Sequence, residues 1–310
     1  MRSDRPSVTA IKIARGIVFV GEDPRVRELL PPGTVELNAQ ILREAQLLKP
    51  STEKLYRKPW FRSFAHWVAR KTTPGQMMTL PTKKRFLDDE VRRAIEGGAR
   101  QLLLVGAGFD TLAVRVAREF ADIGCFEIDH PATQRVKRAA IESAKLERSN
   151  LHLVAVDLTS TSLPEALGHD PHWKSDVVSV VVAEGVLMYL DESDVVTFLE
   201  GVRATTAAGS TLLFTYVRTD EHGVLLIGKN TGFTRAALKI SGEPLKWGIR
   251  QDALADFLEA RGYTLDQSPT PEQLRAHYLE PVGLGDEIVG DIELMATARG
   301  TRGTRGTKGK

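Results

Sequence analysis

The stretch QLLLVGAGFD, residues 101–110, decides how this chain folds. Its apolar residues 102–105 predict a buried strand, Gly106-Ala107-Gly108 predicts a tight turn, and the amphipathic run 111–120 predicts a helix. Glycine allows the backbone to approach a ligand closely, and a helix N-terminus presents unpaired N–H groups. The turn therefore suits an anionic or hydroxyl-rich cofactor.

The next strand strengthens this interpretation, because a single Gly-x-Gly turn is a weak signal. The segment CFEID, residues 125–129, ends in an acid about 20 residues further on, where nucleotide folds place a ribose-binding carboxylate. Thr111 stands where the dinucleotide fingerprint has its third glycine. This favours S-adenosyl-L-methionine (SAM), which has no pyrophosphate, over NAD(P). An NAD(P)-dependent oxidoreductase and a non-catalytic regulator that binds SAM or a nucleotide remain alternatives.

The rest of the chain alternates strand and helix patterns. Further strands are predicted at residues 151–156, 176–183 and 211–217, and a terminal pair at 263–268 and 291–298. The alternation predicts an α/β fold with a doubly wound, mostly parallel, seven-stranded Rossmann-like sheet, whose ligands lie beyond the carboxyl ends of the strands. A terminal strand pair is typical of SAM-dependent enzymes.

Acidic residues follow several of these strands. They are Asp110, Asp129 with Glu127 beside it, Asp157, and Glu184. Each one alone is explained most simply as a cap of the following helix. Their recurrence at one sheet edge predicts a shared site, since carboxylates accept hydrogen bonds from ribose hydroxyls and from the adenine amino group.

Residues 1–81 are predicted to form an N-terminal helical lid or cap. The cluster Trp60, Phe61, Phe64 and Trp67 is interpreted as core packing, and an aromatic wall for a planar substrate is the alternative. Residues 72–81 contain two prolines and a glycine, which is typical of a hinge or lid.

A charged helix is predicted at residues 82–97, with Lys83, Lys84 and Arg85 at its N-terminal end. Cations there oppose the helix dipole, so the cluster suits an anionic ligand such as the carboxylate of an amino-acid cofactor. A solvated surface explains it equally well.

Composition limits the class of protein. Residues 299–310 carry five basic residues and no acid, and without them 37 basic residues face 40 acidic ones. The tail is predicted to be disordered, and no nucleic-acid partner is expected.

The longest nearly apolar run, 177–190, is too short to span a bilayer, so no membrane partner is expected. One cysteine, Cys125, suits a reducing cytoplasm. The oligomeric state is not indicated.

Four ordered motifs, VGAGFDT, FEIDHP, VDL and AEGVLMYL, resemble the leucine carboxyl methyltransferase family, which includes bacterial O-methyltransferases of polyketide biosynthesis. The resemblance covers residues 82–217 well and extends to the opening TAIKIARG and EDPRVRELLPP. It implies a class I SAM-dependent methyltransferase fold. It also implies methyl transfer to an oxygen, a carboxylate or a phenol, of a small-molecule metabolite. Methylation of a protein's C-terminal carboxylate is the alternative.

The resemblance also implies roles for particular residues. The turn Gly106-Ala107-Gly108 would pass beneath the methionine part of SAM, with Asp110 opening the helix. Asp129 would bind the ribose, and Asp157 and Leu158 would hold the adenine. Glu184 would face the methionine amino group, and Arg85, with Lys83, would pair with the cofactor carboxylate. Leu112 departs from the pattern, since bacterial members commonly have arginine there.

No catalytic constellation and no metal-binding pattern is evident. A carboxylate acceptor is already ionised at neutral pH and needs no general base. A phenol would need one, and His130 is the candidate. Arg218, just after the fifth strand, and Tyr189, after Glu184, are candidates for the acceptor pocket. An insertion at about residues 219–249 is predicted to help build that pocket.

Overall fold

The computed structural model describes residues 5–226 and 244–301. The strands are β1 (Gln101–Val105), β2 (Gly124–Asp129), β3 (Leu151–Ala155), β4 (Ser179–Ala183), β5 (Thr211–Val217), β6 (Tyr263–Gln267) and β7 (Glu293–Gly300). The helices are α1 (Val8–Val20), α2 (Pro24–Leu29), α3 (Thr34–Glu44), α4 (Pro50–Tyr56), α5 (Pro59–Thr72), α6 (Gln76–Glu96), α7 (Leu112–Glu119), α8 (Pro131–Ser143), α9 (Leu163–Gly168), α10 (Glu192–Thr205), α11 (Leu254–Glu259) and α12 (Pro271–Leu274).

The strands form one sheet in the order β3-β2-β1-β4-β5-β7-β6. Strands β1 to β5 are parallel, and β7 runs antiparallel between β5 and β6. The chain leaves β1 for β2 on one side and returns to β4 on the other, which creates a switch point at the carboxyl ends of β1 and β4. The predicted doubly wound, mostly parallel, seven-stranded sheet is confirmed.

Both faces of the sheet are covered. Leu102 and Leu104 of β1 pack in one core with residues of α6 and α7. Leu103 and Val105 point to the other face and pack with residues of α9, α10 and α11. Because the central strands are buried on both sides, they are continuously apolar instead of alternating.

The N-terminal layer is joined to the sheet domain by a longer helix than the sequence predicts. Helix α6 begins at Gln76 and contains Pro81, so the expected boundary after residue 81 falls inside it. The predicted hinge at residues 72–81 is wrong, since only residues 73–75 separate α5 from α6. Lys83, Lys84 and Arg85 therefore lie in the helix interior, where the end effect of the helix dipole does not reach them.

The aromatic residues of α5 correct a second expectation. Trp60, Phe64 and Trp67 are 64%, 56% and 61% exposed, so their interpretation as core packing is wrong. Only Phe61 of the four turns inward, against the rings of Phe19 and Tyr56. Helix α5 has one packed face and one aromatic face in solvent.

Parts of two predicted segments lie outside the described residues. Most of the predicted insertion, residues 227–243, is among them, as is most of the predicted tail, residues 302–310. Arg299 and Gly300 do not belong to a tail, because β7 continues through Gly300. None of the helices in the described ranges combines the length and the apolar character needed to cross a bilayer.

Candidate functional site

The glycine turn lies between β1 and α7 at the switch point. Gly106 and Gly108 have φ values of +66° and +53°, a backbone conformation that side chains disfavour. A Cβ on Gly106 would lie 2.6 Å from Cγ2 of Val186, and one on Gly108 would lie 2.9 Å from Cβ of Ala10. Glycine is therefore required at both positions by conformation and by space. Ala107 completes the turn, and its N–H donates to the Ile128 carbonyl, as does that of Gly106.

Asp129 ends β2 beside this turn. Its Oδ2 accepts a hydrogen bond from the Gly108 N–H at 2.5 Å, and its Oδ1 accepts one from the His130 N–H at 2.7 Å. Burial raises the pKa of Asp129, and these two hydrogen bonds offset only part of that rise. The carboxylate is thus fixed next to the glycine backbone, as the sequence predicted.

His130 connects Asp129 to Asp157. Its Nε2 lies 3.7 Å from Oδ2 of Asp157, and its Nδ1 accepts a hydrogen bond from the Ala132 N–H at the start of α8. Asp157 is tied to Thr159, whose hydrogen bonds lower the pKa of the carboxyl group. The lone pair of His130 is already occupied in a helix cap, so this geometry does not support His130 as a general base.

Leu158, the predicted adenine contact, follows Asp157 and is partly buried against the core on the α9 face of the sheet. Its position beside Asp157 places an apolar side chain next to a polar one. This pairing is what an adenine ring with its amino group requires.

A buried group of charged residues lies at the carboxyl end of β4. Glu184 contacts Nζ of Lys83 at 3.3 Å and Nζ of Lys84 at 2.7 Å. Lys84 also bonds Asp110, and Lys83 bonds Glu293 at 2.7 Å. The group therefore links α6, the glycine turn, β4 and β7. We call these five residues the charged cluster.

The charged cluster contains three acids and two bases, so it carries one net negative charge. Burial alone would raise the pKa of Asp110 and Glu293, but the neighbouring lysines hold both below their ordinary values. Burial would also lower the pKa of Lys83, but Glu293 and Glu184 outweigh it and raise that pKa. The expected cofactor carries a sulfonium, an ammonium and a carboxylate, and its net charge of one positive complements the cluster.

Arg85 does not join the charged cluster, which corrects its predicted role. Its Nε donates to Asp89, one turn further along α6, at 3.0 Å, and its side chain is 38% exposed. Successive residues of a helix point about 100° apart, so Lys84 faces the site and Arg85 turns away. Of the three basic residues, Lys83 and Lys84 reach the charged cluster and Arg85 does not.

Glu127 also has a different place from the one expected beside Asp129. Its carboxylate is fully buried and lies 2.6 Å from Nζ of Lys137, which is fully buried as well. Lys137 Nζ donates in addition to the Asp110 carbonyl at 2.6 Å. This pair holds the backbone just after the glycine turn, and neither side chain is accessible to solvent.

The two candidate acceptor residues follow neighbouring strands. Tyr189 lies in a short 3₁₀ helix, Leu187–Tyr189, after β4. Arg218 follows β5, and its guanidinium lies 3.9 Å from the exposed carboxylate of Asp291. Both therefore sit at the sheet edge that carries Glu184.

One group of possible metal ligands occurs among residues 5–226 and 244–301: His152, Asp170 and His172. The two imidazole rings stack at 4.4 Å, so the lone pairs in their ring planes run side by side instead of converging. His152 is near the start of β3, at the sheet edge opposite the glycine turn.

Comparison with known proteins identifies the class. The family model for leucine carboxyl methyltransferase matches residues 23–203, more than half of the chain. A protein of Streptomyces avermitilis, provisionally named a SAM-dependent methyltransferase, is 30% identical over 202 residues, 59% of this chain and 70% of the relative. A provisionally named SAM-dependent methyltransferase of Bacillus subtilis, YktD, is 25% identical over 248 residues, 77% of each chain.

Solved structures agree on the fold. A DUF574-family protein from Streptomyces avermitilis superposes with a TM-score of 0.57 at 16% identity, covering 84% of this chain and 96% of its own. A provisionally named methyltransferase from Thermobifida fusca gives 0.53 at 17% identity, covering 85% and 94%. The fold is that of the Rossmann-like SAM-dependent methyltransferases, and SAM is the cofactor, not NAD(P). This chain is a SAM-dependent methyltransferase and belongs to the leucine carboxyl methyltransferase family.

Proposed function

We propose that this enzyme methylates an oxygen of a small-molecule metabolite, a carboxylate or a phenol of the polyketide type. The observation that carries the proposal is the charged cluster at the carboxyl end of β4, beside the glycine turn and Asp129. It joins a binding site for a cationic cofactor to the ends of β4 and β5, where Tyr189 and Arg218 lie.

The cofactor assignment follows from the same contacts. Asp129 accepts hydrogen bonds and would bind the ribose, and Asp157 with Leu158 would hold the adenine. Glu184 would receive the methionine ammonium, and Lys83 or Lys84 would pair with its carboxylate. Bound SAM supplies a methyl group made electrophilic by its sulfonium. The protein's part is to hold the acceptor oxygen in line, which lowers the entropic cost of the reaction.

A carboxylate is the acceptor that these residues suit best. The ionisable groups of the charged cluster pair with one another, and His130 is used in a helix cap. A carboxylate acceptor needs no proton removed, whereas a phenol has a pKa of about 10 and needs a base. Among the described residues, Arg218 makes one ion pair, a long one of 3.9 Å with the exposed carboxylate of Asp291, so its guanidinium could bind an anionic acceptor.

The test is methyl transfer from SAM labelled in the methyl group into panels of carboxylic acids and phenols. Methyl esters release volatile methanol in mild base, whereas aryl methyl ethers do not, so product chemistry separates the two acceptors. We expect base-labile product and a rate that is flat between about pH 7 and pH 9, since the acceptor is already ionised. A rate rising towards pH 10 with base-stable product would favour the phenol.

Replacement of Arg218 tests the acceptor side separately. Arg218→Met should raise KM for the acceptor about tenfold or more and leave SAM affinity unchanged, whereas Arg218→Lys should retain part of the effect. Label found on nitrogen or carbon would contradict O-methylation. Label found only on the C-terminal carboxylate of a protein would leave O-methylation but contradict a small-molecule acceptor.

A further inference from the structure

The outer face of α5 is an unusual surface for a soluble enzyme. The helix lies wholly within the described residues and contains no buried residue. Trp60, Phe64 and Trp67 follow the helical spacing of four and three residues, so they share one face. Phe64 and Trp67 stack on each other at 6.3 Å, which joins them into a continuous apolar stripe. Contiguous exposed apolar surface of this kind marks an interaction site.

The charged residues of α5 and of the segment that leads into it have one sign. Residues 54–72 contain six lysines and arginines and no aspartate or glutamate. Arg57 and Lys58 are exposed at one end of α5, and Arg70 and Lys71 are exposed at the other. Arg57 is already paired with Glu53 and Glu22, so Lys58, Arg70 and Lys71 are the exposed basic residues that a negatively charged partner would meet beside the apolar stripe.

This distribution distinguishes between the candidate partners. A second copy of the chain packed face to face would bring like charges together, which is unfavourable. An anionic lipid surface offers negative headgroups above an apolar layer. Amphipathic helices with aromatic residues on one face and flanking basic residues lie in that interface. Trp in particular prefers the interface, because its ring is apolar and its N–H is polar.

We propose that α5 docks this enzyme on anionic phospholipid membranes, with Trp60, Phe64 and Trp67 in the interface and the flanking lysines and arginines on the headgroups. The enzyme is then a peripheral protein at a lipid surface. This surface is separate from the charged cluster, so the inference does not depend on the identity of the methyl acceptor.

The test is co-sedimentation of the full chain with vesicles of phosphatidylcholine, alone or with roughly one third phosphatidylglycerol. We expect binding only to the anionic vesicles and loss of binding as NaCl rises from about 0.05 M to about 0.5 M. Tryptophan fluorescence provides a local readout, since Trp60 and Trp67 are exposed while Trp173 and Trp247 are buried. It should shift to shorter wavelength on binding.

Two variants separate charge from apolar contact. Arg70→Glu with Lys71→Glu, and Trp60→Ser with Trp67→Ser, should each weaken vesicle binding at least about tenfold and leave the Tm unchanged. The control is Arg148→Glu with Lys174→Glu, which reverses two exposed charges outside α5. These residues precede the amino ends of β3 and β4. The control should bind as the wild type does.

Three results would overturn the proposal. The first is equal binding of wild type and the Arg70/Lys71 variant. The second is a dimer in sedimentation velocity that the Trp60/Trp67 variant converts to a monomer, since the stripe would then be a self-association surface. The third is tight binding of a single-stranded RNA that displaces the vesicles and requires Arg70 and Lys71.

Discussion

At the scale of single residues, Asp129 is the candidate carboxylate whose contacts are most sharply defined. Its Oδ2 accepts a hydrogen bond from the Gly108 N–H. Burial raises the pKa of the carboxyl group because it destabilises the charged form, and hydrogen bonds from hydroxyl groups would stabilise that charged form. We expect Asp129→Ala to weaken SAM binding by about 1–3 kcal/mol in calorimetry, because the ribose hydroxyls lose a charged partner. Asp157→Ala is the matched control, and its more exposed carboxylate should contribute less. Unchanged SAM affinity in a folded Asp129→Ala protein would show that the ribose is held elsewhere.

The buried pair of Lys137 and Glu127 makes a prediction about stability. Lys137→Met leaves a buried carboxylate without its partner and should lower the free energy of unfolding by about 3–5 kcal/mol, whereas the double variant with Glu127→Leu should lose much less. Urea denaturation of both variants provides the measurement. Equal losses in the two would contradict an isolated buried charge as the cause.

The pH dependence of Lys137→Met follows from the same pair. Burial raises the pKa of Glu127, and Lys137 opposes that rise, so the variant should raise it further. A carboxyl group with a raised folded-state pKa stabilises the fold when protonated, and this stability is lost as pH rises through that pKa. The variant should therefore recover stability as pH falls from 7 towards 5. Stability that falls over this range would contradict the sign.

The charged cluster shows which residues a sequence can reveal. Lys83 and Lys84 precede Leu87 by four and three residues, so they lie on the same face of the helix as Leu87. This placement can be predicted from the sequence. Lysine is rarely buried, so this spacing alone does not predict that the two side chains are. The ion pair of Lys83 with Glu293 cannot be predicted from the sequence, because it joins residues 210 positions apart that the β5–β7 pairing brings together.

At the scale of elements, the turn after β1 permits a matched comparison of two glycines. Gly106 and Gly185 have φ values of +66° and +64°, but only a Cβ on Gly106 meets a neighbour, Val186. Gly185→Ala should cost about 1 kcal/mol of stability from conformation alone, and Gly106→Ala should cost about 1–3 kcal/mol more from the clash. Denaturation of both variants measures the difference. Equal costs would show that Val186 moves away freely.

The elements also show where sequence patterns succeed. The strands from β1 to β7 were predicted within a few residues, since buried parallel strands are short apolar runs bounded by turns. The aromatic cluster of α5 was interpreted as core packing because large aromatic residues usually bury much of their rings. An aromatic cluster alone does not tell which of its rings meets the protein. The ring that packs inward is set by α1 and α4: of the four aromatic residues, Phe61 contacts the rings of Phe19 and Tyr56.

At the scale of the whole molecule, the N-terminal layer is not uniformly attached. Residues of α1 and α3 pack with α8 in one core, and other residues of α1 pack with α6 and β1 in another. Helices α4 and α5 contain no buried residue. Segments with few buried contacts open locally at low free energy, whereas core elements open only with the whole fold.

Hydrogen exchange of the ligand-free protein should therefore divide the N-terminal layer in two. Amides in the buried part of α1, around Ile17 and Val18, should exchange as slowly as those of β4, through global unfolding. Amides of α5 should exchange faster, through local opening. Mass spectrometry of peptides from these elements makes the comparison, and β4 serves as the internal reference. Fast exchange throughout residues 8–72 would mean that the entire layer opens as a lid, and the Ala10–Gly108 contact of α1 would then control access to the glycine turn.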